Sequence, residues 1–381
     1  MKALRDWCRA RAPEMTALLA ELSATESPST EPAAVAALAL RLAREAEGLG
    51  LTTELIPVPD AGPLLRARSQ AAGRPIMLLG HMDTVWPLGT LATRPLRTEG
   101  DRLYGPGAYD MKGGLVVALF ALGALRTRGR LPPVTVFFTP LEEVDCGPYR
   151  GLMEAEMGAS AAVLDFEPAW PGGAVKTERK GSGSFLLRAR GRAAHAGADF
   201  AQGANAILEL ARRVLEVSAL TDLERGTTVN VGVVRGGLRS NVVPDLAEAE
   251  VDFRVRSLAD ARRIEAAFGA LRATDPGVAL EVDGGLHYPP LERGPHVLAV
   301  YELARRVAEE MGSGLAEAST GGASEASFAA ALGVPTLDGL GPDGDGAHAE
   351  HEHVLLSSLP DRAALAAGLI ERLADTQGAD R

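Results

Sequence analysis

The chain has 381 residues, more than a single hydrophobic core usually serves, so two domains are expected, in series or one inserted in the other. Its formal net charge of -11 excludes the clustered Lys and Arg that a nucleic-acid backbone or an anionic membrane demands. The two cysteines, Cys8 and Cys146, lie far apart and form neither a disulfide framework nor a CxxC metal knuckle, which fits a reducing compartment.

The N-terminal stretch MKALRDWCRARAPEMTALLAEL carries charges at Arg5, Asp6, Arg9 and Arg11, so it reads as an amphipathic helix and not as a secretory signal. No run reaches the roughly 18 to 20 apolar residues that cross a bilayer; LVVALFALGAL, 115–125, is too short. A cytoplasmic protein with small-molecule partners, binding neither nucleic acid nor membrane, is the expectation.

From about Gly50 to Glu167 short apolar runs alternate with helical patterns, the signature of a mostly parallel sheet with crossover helices. PIMLLG, VTVFFT and AAVLDF read as strands, and KGGLVVALFALGALRTRG as a buried crossover helix stopped by basic residues and Gly129. From about Thr177 to Gly285 the pattern changes to strand (SFLLRARGR), helix (GANAILELARRVLEVS), strand (TTVNVGVVR), strand (AEAEVDFRVR), helix (ADARRIEAAFGALRAT) and strand (VALEVD). This β-α-β-β-α-β order is a split βαβ motif, a self-contained ferredoxin-like layer. The α/β period then resumes with a helix at VYELARRVAEEMG and a strand at VPTLDGLG. The expected organisation is a discontinuous catalytic domain, 1–178 and 286–381, interrupted by an α+β domain, 179–285.

The polar residues that follow the strands carry the chemistry. His81 and Asp83 follow PIMLLG, Asp110 follows YGPGAY, Glu142 and Glu143 follow VTVFFTP, Glu167 follows AAVLDF, and His348 lies past VPTLDGLG. Open α/β sheets bind ligands at the carboxyl ends of their strands, so these distant residues are placed to converge. Two imidazoles and three carboxylates, without thiolate, suit one or two divalent metals such as zinc. Taken singly, each acidic residue is equally a solvated loop charge or a helix cap.

The ordered motifs GHMDTV, LYGPGAYDMKGG, LEEV, DFEPA, AAHAG, SNVVPD and GAHAEHEHV resemble the signature of the di-zinc metallopeptidases of the aminoacylase and glutamate carboxypeptidase type. The resemblance covers nearly the whole chain. It implies that His81 and Glu167 bind one metal ion and Glu143 and His348 the other, with Asp110 bridging and a cis peptide to Met111. Zinc is implied, with cobalt or manganese as alternatives. Asp83 would accept the second ring hydrogen of His81, and Glu142 would be the general base. Extended backbone points successive side chains to opposite sides, which would let Glu143 face metal while Glu142 faces water.

The same resemblance implies a homodimer in which the inserted domain forms the interface and His195 reaches the partner's site to stabilise the oxyanion. Arg254, with Asn241, would hold a substrate carboxylate, and Gly321 and Gly322, at the start of a predicted helix, would present backbone N–H groups to the same anion. His351 and His353 read as exposed or supporting residues, and His287 and His296 as surface histidines in a hinge and at a helix start. The chain departs from the pattern at Leu141, at Asp145, Cys146 and Tyr149, expected to shape the pocket wall, and at Glu325, where aspartate is frequent.

GPGAYD lacks the third glycine of a dinucleotide fingerprint, and no GxxxxGK[ST] phosphate loop is present. The expected function is hydrolysis of an amide or peptide bond beside a free carboxylate, in the manner of a glutamate carboxypeptidase, on a small peptide or N-acyl amino acid. The alternatives are an aminoacylase, deacetylase or dipeptidase of the same chemistry, and a catalytically silent relative that binds carboxylated ligands.

Overall fold

The computed structural model describes residues 1–129 and 131–379. It divides into two compact units. The first comprises Met1–Thr177, Arg293–Ser319 and the chain from Ser324 onward; the second comprises Glu178–Glu292 with Thr320–Ala323.

The first unit opens with helices α1 (Lys2–Ala10), α2 (Ala12–Ala24) and α3 (Pro32–Gly48). Leu4 and Cys8, then Met15, Leu19 and Leu22, then Val35, Leu38 and Leu42 recur every three or four residues and turn one stripe of each helix into the core. Strands β1 (Thr52–Ile56), β2 (Leu64–Arg68) and β3 (Ile76–His81) follow, the last buried on both faces. A tight turn at Ala108–Lys112, holding the cis Asp110–Met111 peptide, leads into α4 (Gly113–Arg126). The helical run Ala108–Arg126 is, by length and composition, apolar enough to cross a membrane, contrary to the reading of LVVALFALGAL alone. Its most apolar window is 89% buried inside the molecule. Then come β4 (Val134–Thr139), α5 (Arg150–Ala159) and β5 (Ala162–Asp165).

The second unit contributes β6 (Gly181–Arg190), α6 (Ala206–Ser218), β7 (Thr228–Gly236), β8 (Leu246–Val255), α7 (Leu258–Gly269) and β9 (Ala279–Tyr288). The strands pair antiparallel in the order β7-β8-β6-β9, the ferredoxin-like arrangement. Both helices are capped, Asn205 accepting from the Leu208 N–H and Ser257 from the Asp260 N–H. The stacked rings of Phe185, Phe253 and Phe268 anchor a separate core, with Phe185 and Phe268 centroids 4.0 Å apart. β9 runs on to Tyr288, so His287 belongs to a strand and not to a hinge; its Nε2 lies 2.7 Å from Ser184 Oγ.

The chain returns to the first unit with α8 (Pro295–Glu310), α9 (Ala326–Ala331), β10 (Thr336–Leu337) and α10 (Ser358–Ala379). The strand expected over 334–341 shrinks to two residues because the backbone leaves the ladder at Gly339, where φ is +77°. The six-stranded sheet runs β1-β2-β4-β3-β5-β10, antiparallel at β1/β2 and β2/β4 and parallel across the rest. β4 lies on one side of β3 and β5 on the other, so the winding reverses at β3, and a reversal opens a crevice at the carboxyl ends of these strands.

Helix α4 lies close against that crevice. A Cβ on Gly114 would come within 1.8 Å of the Phe166 carbonyl oxygen, one residue before Glu167. Gly114→Ala should therefore destabilise the protein by about 1 to 3 kcal/mol through overpacking, read as a lower urea midpoint, whereas Gly158→Ala, where a Cβ meets nothing within 4 Å, should not.

Candidate metal centre

Three strand ends supply the cluster. His81 closes β3, Glu142 and Glu143 follow β4, and Glu167 follows β5, while Asp110 comes from the turn before α4 and His348 from the C-terminal segment. His81 Nε2 lies 3.2 Å from Asp110 Oδ1 and 3.2 Å from Glu167 Oε1. His348 Nε2 lies 3.4 Å from Asp110 Oδ2 and 3.0 Å from Glu143 Oε2. Asp110 thus turns one oxygen to each histidine. His81, Asp110 and Glu143 each offer a ligand atom within 4.8 Å of the others. His348 has a left-handed backbone, φ +60°, two residues after Gly346 at +85°, a strained conformation of the kind that gathers at functional sites.

The Glu142–Glu143 pair does not sit in extended backbone, as alternation would require. It lies in a turn closed by the Asp145 N–H on the Leu141 carbonyl, 3.1 Å. Asp83 holds that turn: its Oδ1 accepts the Glu142 N–H at 3.1 Å and its Oδ2 the Glu143 N–H at 3.2 Å. The main-chain carbonyl of Asp83 is the nearer partner of His81 Nδ1, at 3.0 Å, with carboxylate Oδ1 at 3.5 Å. One residue therefore orients both the histidine and the glutamate pair.

Sequence reasoning missed several supports. Ser29 donates to Asp83 Oδ2 at 2.6 Å, and Lys176 Nζ lies 3.7 Å from Glu167 Oε2. Ser29 and Asp83 are 54 residues apart, and neither partnership has a local signal. Glu352, visible in HAEHEH four residues after His348, is buried and accepts four N–H groups: Trp86 Nε1 at 2.8 Å, Gly107 at 2.9 Å, Tyr109 at 3.0 Å and Asp110 at 3.1 Å. It fixes the turn that carries Asp110. Burial raises its pKa to about 7 against the pull of those donors.

The electrostatics call for positive charge. Burial pushes the Glu142 carboxyl well above the usual range, and Glu167, Glu143 and Glu325 push the same way, opposed by His81. Burial disfavours charge on His81, yet hydrogen bonds with Asp110, Asp83 and Glu167 prevail and raise its pKa well above the ordinary value. Asp110 and Glu143 raise His348 to about 10. Protons gather where carboxylates crowd, and divalent cations would compensate the same oxygens while using the ring nitrogens as ligands.

A family model described as peptidase family M20/M25/M40 matches residues 77–372. The chain belongs to that family. It is similar to carboxypeptidase G2 of Pseudomonas sp. (strain RS-16), 32% identical over 307 residues that cover 78% of this chain and 74% of the relative. It is also similar to acetylornithine deacetylase of Myxococcus xanthus, 30% identical over 322 residues, 79% and 82% of the two chains. Among solved structures, aminopeptidase PepT from Bacillus cereus ATCC 10987 matches with a TM-score of 0.73 at 21% identity, over 95% of this chain and 99% of that one. The M20 family metallo-carboxypeptidase Sso-CP2 from Sulfolobus solfataricus matches with a TM-score of 0.71 at 17% identity, over 95% and 99%. This protein is thus a hydrolase of a metal-dependent family, with a mostly parallel α/β sheet. The donor set fits a divalent metal: imidazole nitrogens and carboxylate oxygens from several segments, with Asp83 and Glu352 orienting them from behind.

The remaining expected site residues belong to the second unit. The exposed His195 accepts the Gly197 and Ala198 N–H groups on Nδ1, at 3.1 and 2.9 Å, which leaves the proton of the neutral ring on Nε2. Asn241 lies beside it, its carbonyl accepting the Ala196 N–H at 3.0 Å. Arg254 is engaged bidentately by Asp252 on the same strand face, at 3.1 and 3.0 Å. Gly321 and Gly322 lie in a bend some residues before the short α9 and not at its first turn; the Gly322 N–H is turned to Thr320 Oγ1 at 3.5 Å. They are therefore not helix-end donors.

Other expectations change as well. His353 is buried against Tyr104, ring centroids 5.1 Å apart, while His351 is exposed, 4.0 Å from Asp345. Cys146 and Tyr149 are buried, and the exposed Asp145 caps its own turn through the Gly147 N–H at 2.8 Å. Replacing Glu352 by Ala should loosen the Asp110 turn and weaken metal affinity about 10- to 100-fold, as measured by competition with a coloured chelator.

Proposed function

We propose that this hydrolase cleaves an amide or peptide bond beside a free carboxylate, as a glutamate carboxypeptidase does, with Glu142 as the general base. The observation that carries the reading is the Glu142–Glu143 turn: Asp83 holds both N–H groups, Glu143 is drawn to His348, and Glu142 is left with raised proton affinity beside the cluster. The relative named carboxypeptidase G2 supports it.

Two divalent ions, zinc in first place, would be held by His81 and Glu167, by Glu143 and His348, and by Asp110 between them; the opposed directions of the two Asp110 oxygens support this division. Such ions supply Lewis-acid polarisation of the scissile carbonyl and a water of lowered pKa. Glu142 takes the proton of the attacking water and returns it to the departing amine. Lys176 offsets charge on Glu167, and Glu352 keeps Asp110 in register.

His195 presents an Nε2–H suited to a developing oxyanion. We assign it to the partner's site in a homodimer. The inserted unit has the surface for one: β7 is an edge strand of its sheet, and Leu215, Val234 and Leu238 are exposed by 75, 58 and 97%. Arg254 takes the substrate carboxylate once Asp252 yields its fork, with Asn241 assisting. The relative named acetylornithine deacetylase favours a second reading, removal of an N-acyl group from an amino acid, by the same residues.

Glu142→Gln should keep its metal and lose about 10²- to 10⁴-fold in turnover; unchanged turnover sinks the assignment of the base. The assay is a panel of dipeptides and N-acyl amino acids with zinc, cobalt or manganese, and preference for peptides over acetylated amino acids separates the two readings. For His195, mixing inactive His195→Ala chains with inactive Glu142→Gln chains should restore part of the activity in heterodimers. Absence of recovery, once chain exchange is seen by mass spectrometry, rules out action in trans.

A further inference from the structure

The segment that carries Glu142 and Glu143 leaves the sheet at Thr139 and enters α5 after Tyr149. One carboxylate grips both ends. Thr139 Oγ1 donates to Glu325 Oε2 at 2.9 Å, and the Tyr149 hydroxyl donates to Glu325 Oε1 at 2.5 Å. All three side chains are buried, at 0, 3 and 2% exposure. Between the ends, Asp83 takes the Glu142 and Glu143 N–H groups. Two acidic side chains from elsewhere in the chain therefore hold the loop at both ends and in its middle.

A carboxylate is a costly way to fill an interior, and a phenol is a costly way to pack a loop, unless each satisfies the other. Here each oxygen of Glu325 meets one hydroxyl. An aspartate would fall short by one methylene, about 1.5 Å, and could not reach both hydroxyls from the same backbone position. The two departures of this chain, Tyr149 and Glu325, are thus complementary in length and in hydrogen bonding. Glu325 is also near enough to Glu142 to add to the push on its carboxyl.

We propose that Tyr149 and Glu325 form a matched positioning pair that sets where the Glu142–Glu143 turn stands and so aligns the proton acceptor with the cluster. The pair acts through the loop. The proposal rests on the reading of Glu142 as the base.

The test uses the metal-loaded full chain. Tyr149→Phe removes one oxygen and no volume of consequence. It should lower kcat about 10- to 100-fold, the loss of a buried hydrogen bond, with KM changed less than about twofold and metal content unchanged. Hydrogen–deuterium exchange should rise in 139–149 and not in the rest of the sheet. Glu325→Gln, which keeps the reach, should be milder than Glu325→Asp, which keeps the charge. If Tyr149→Phe does not fold, Thr139→Val, which removes the other hydroxyl, should give the same signature. Unaltered kcat, exchange unchanged in 139–149, or Asp tolerated better than Gln would each overturn the pairing. The exchange measurement reports on the loop whether or not Glu142 is the base, and Glu142→Gln alone decides the latter.

Discussion

Mutual repulsion among closely packed carboxylates governs this molecule. Asp110, Glu142, Glu143 and Glu167 are brought to one end of a parallel sheet with two imidazoles and Lys176 for company. Such a set is tolerable only if positive charge is drawn in, and much of the surrounding architecture keeps the oxygens from relaxing away from one another. The reversal of winding at β3 opens the crevice, Gly114 lets α4 close against the strand that delivers Glu167, and Asp83, Glu352 and Glu325 hold the connecting turns rigid from behind. Three carboxylates are thus spent on orienting others. In a low-dielectric interior that is sustainable because each accepts hydrogen bonds, from two hydroxyls for Glu325 and from four N–H groups for Glu352.

The parts of this design that could be read in the sequence are those with a local signature. VTVFFT and PIMLLG announce buried parallel strands because both their faces are apolar, and the insert declares itself by alternation, since a two-layer sheet has one wet face. Of the cluster residues, His81, Glu142, Glu143 and Glu167 were legible because each follows or closes a strand, whereas Asp110 and His348 were legible only through their motifs. Adjacency misled in one place: Glu142 and Glu143 separate by turn geometry and not by strand alternation, and the turn exists because Asp83, some sixty residues away, accepts both N–H groups. Ser29 and Lys176 had no signal at all, because a lone serine or lysine acquires meaning only from a partner that tertiary structure supplies. Tyr149 was visible as an oddity, but its partner was not. Its hydroxyl meets a buried carboxylate that lies 176 residues further along the chain.

The inserted unit is held by a different logic. Its core is a stack of phenylalanine rings under an antiparallel sheet, it has its own capped helices, and the side chains proposed to act from it are held by short-range contacts: His195 by the two N–H groups that follow it, Arg254 by its strand neighbour Asp252.

The order of the ligands along the chain has a consequence for synthesis. His348 and Glu352 come from the last tenth of the sequence, after the insert has been made, yet one belongs to the cluster and the other clamps the turn bearing Asp110. A ribosome-bound chain that has delivered every strand of the central sheet still lacks both. The cluster is therefore completed by a segment that joins strands already made.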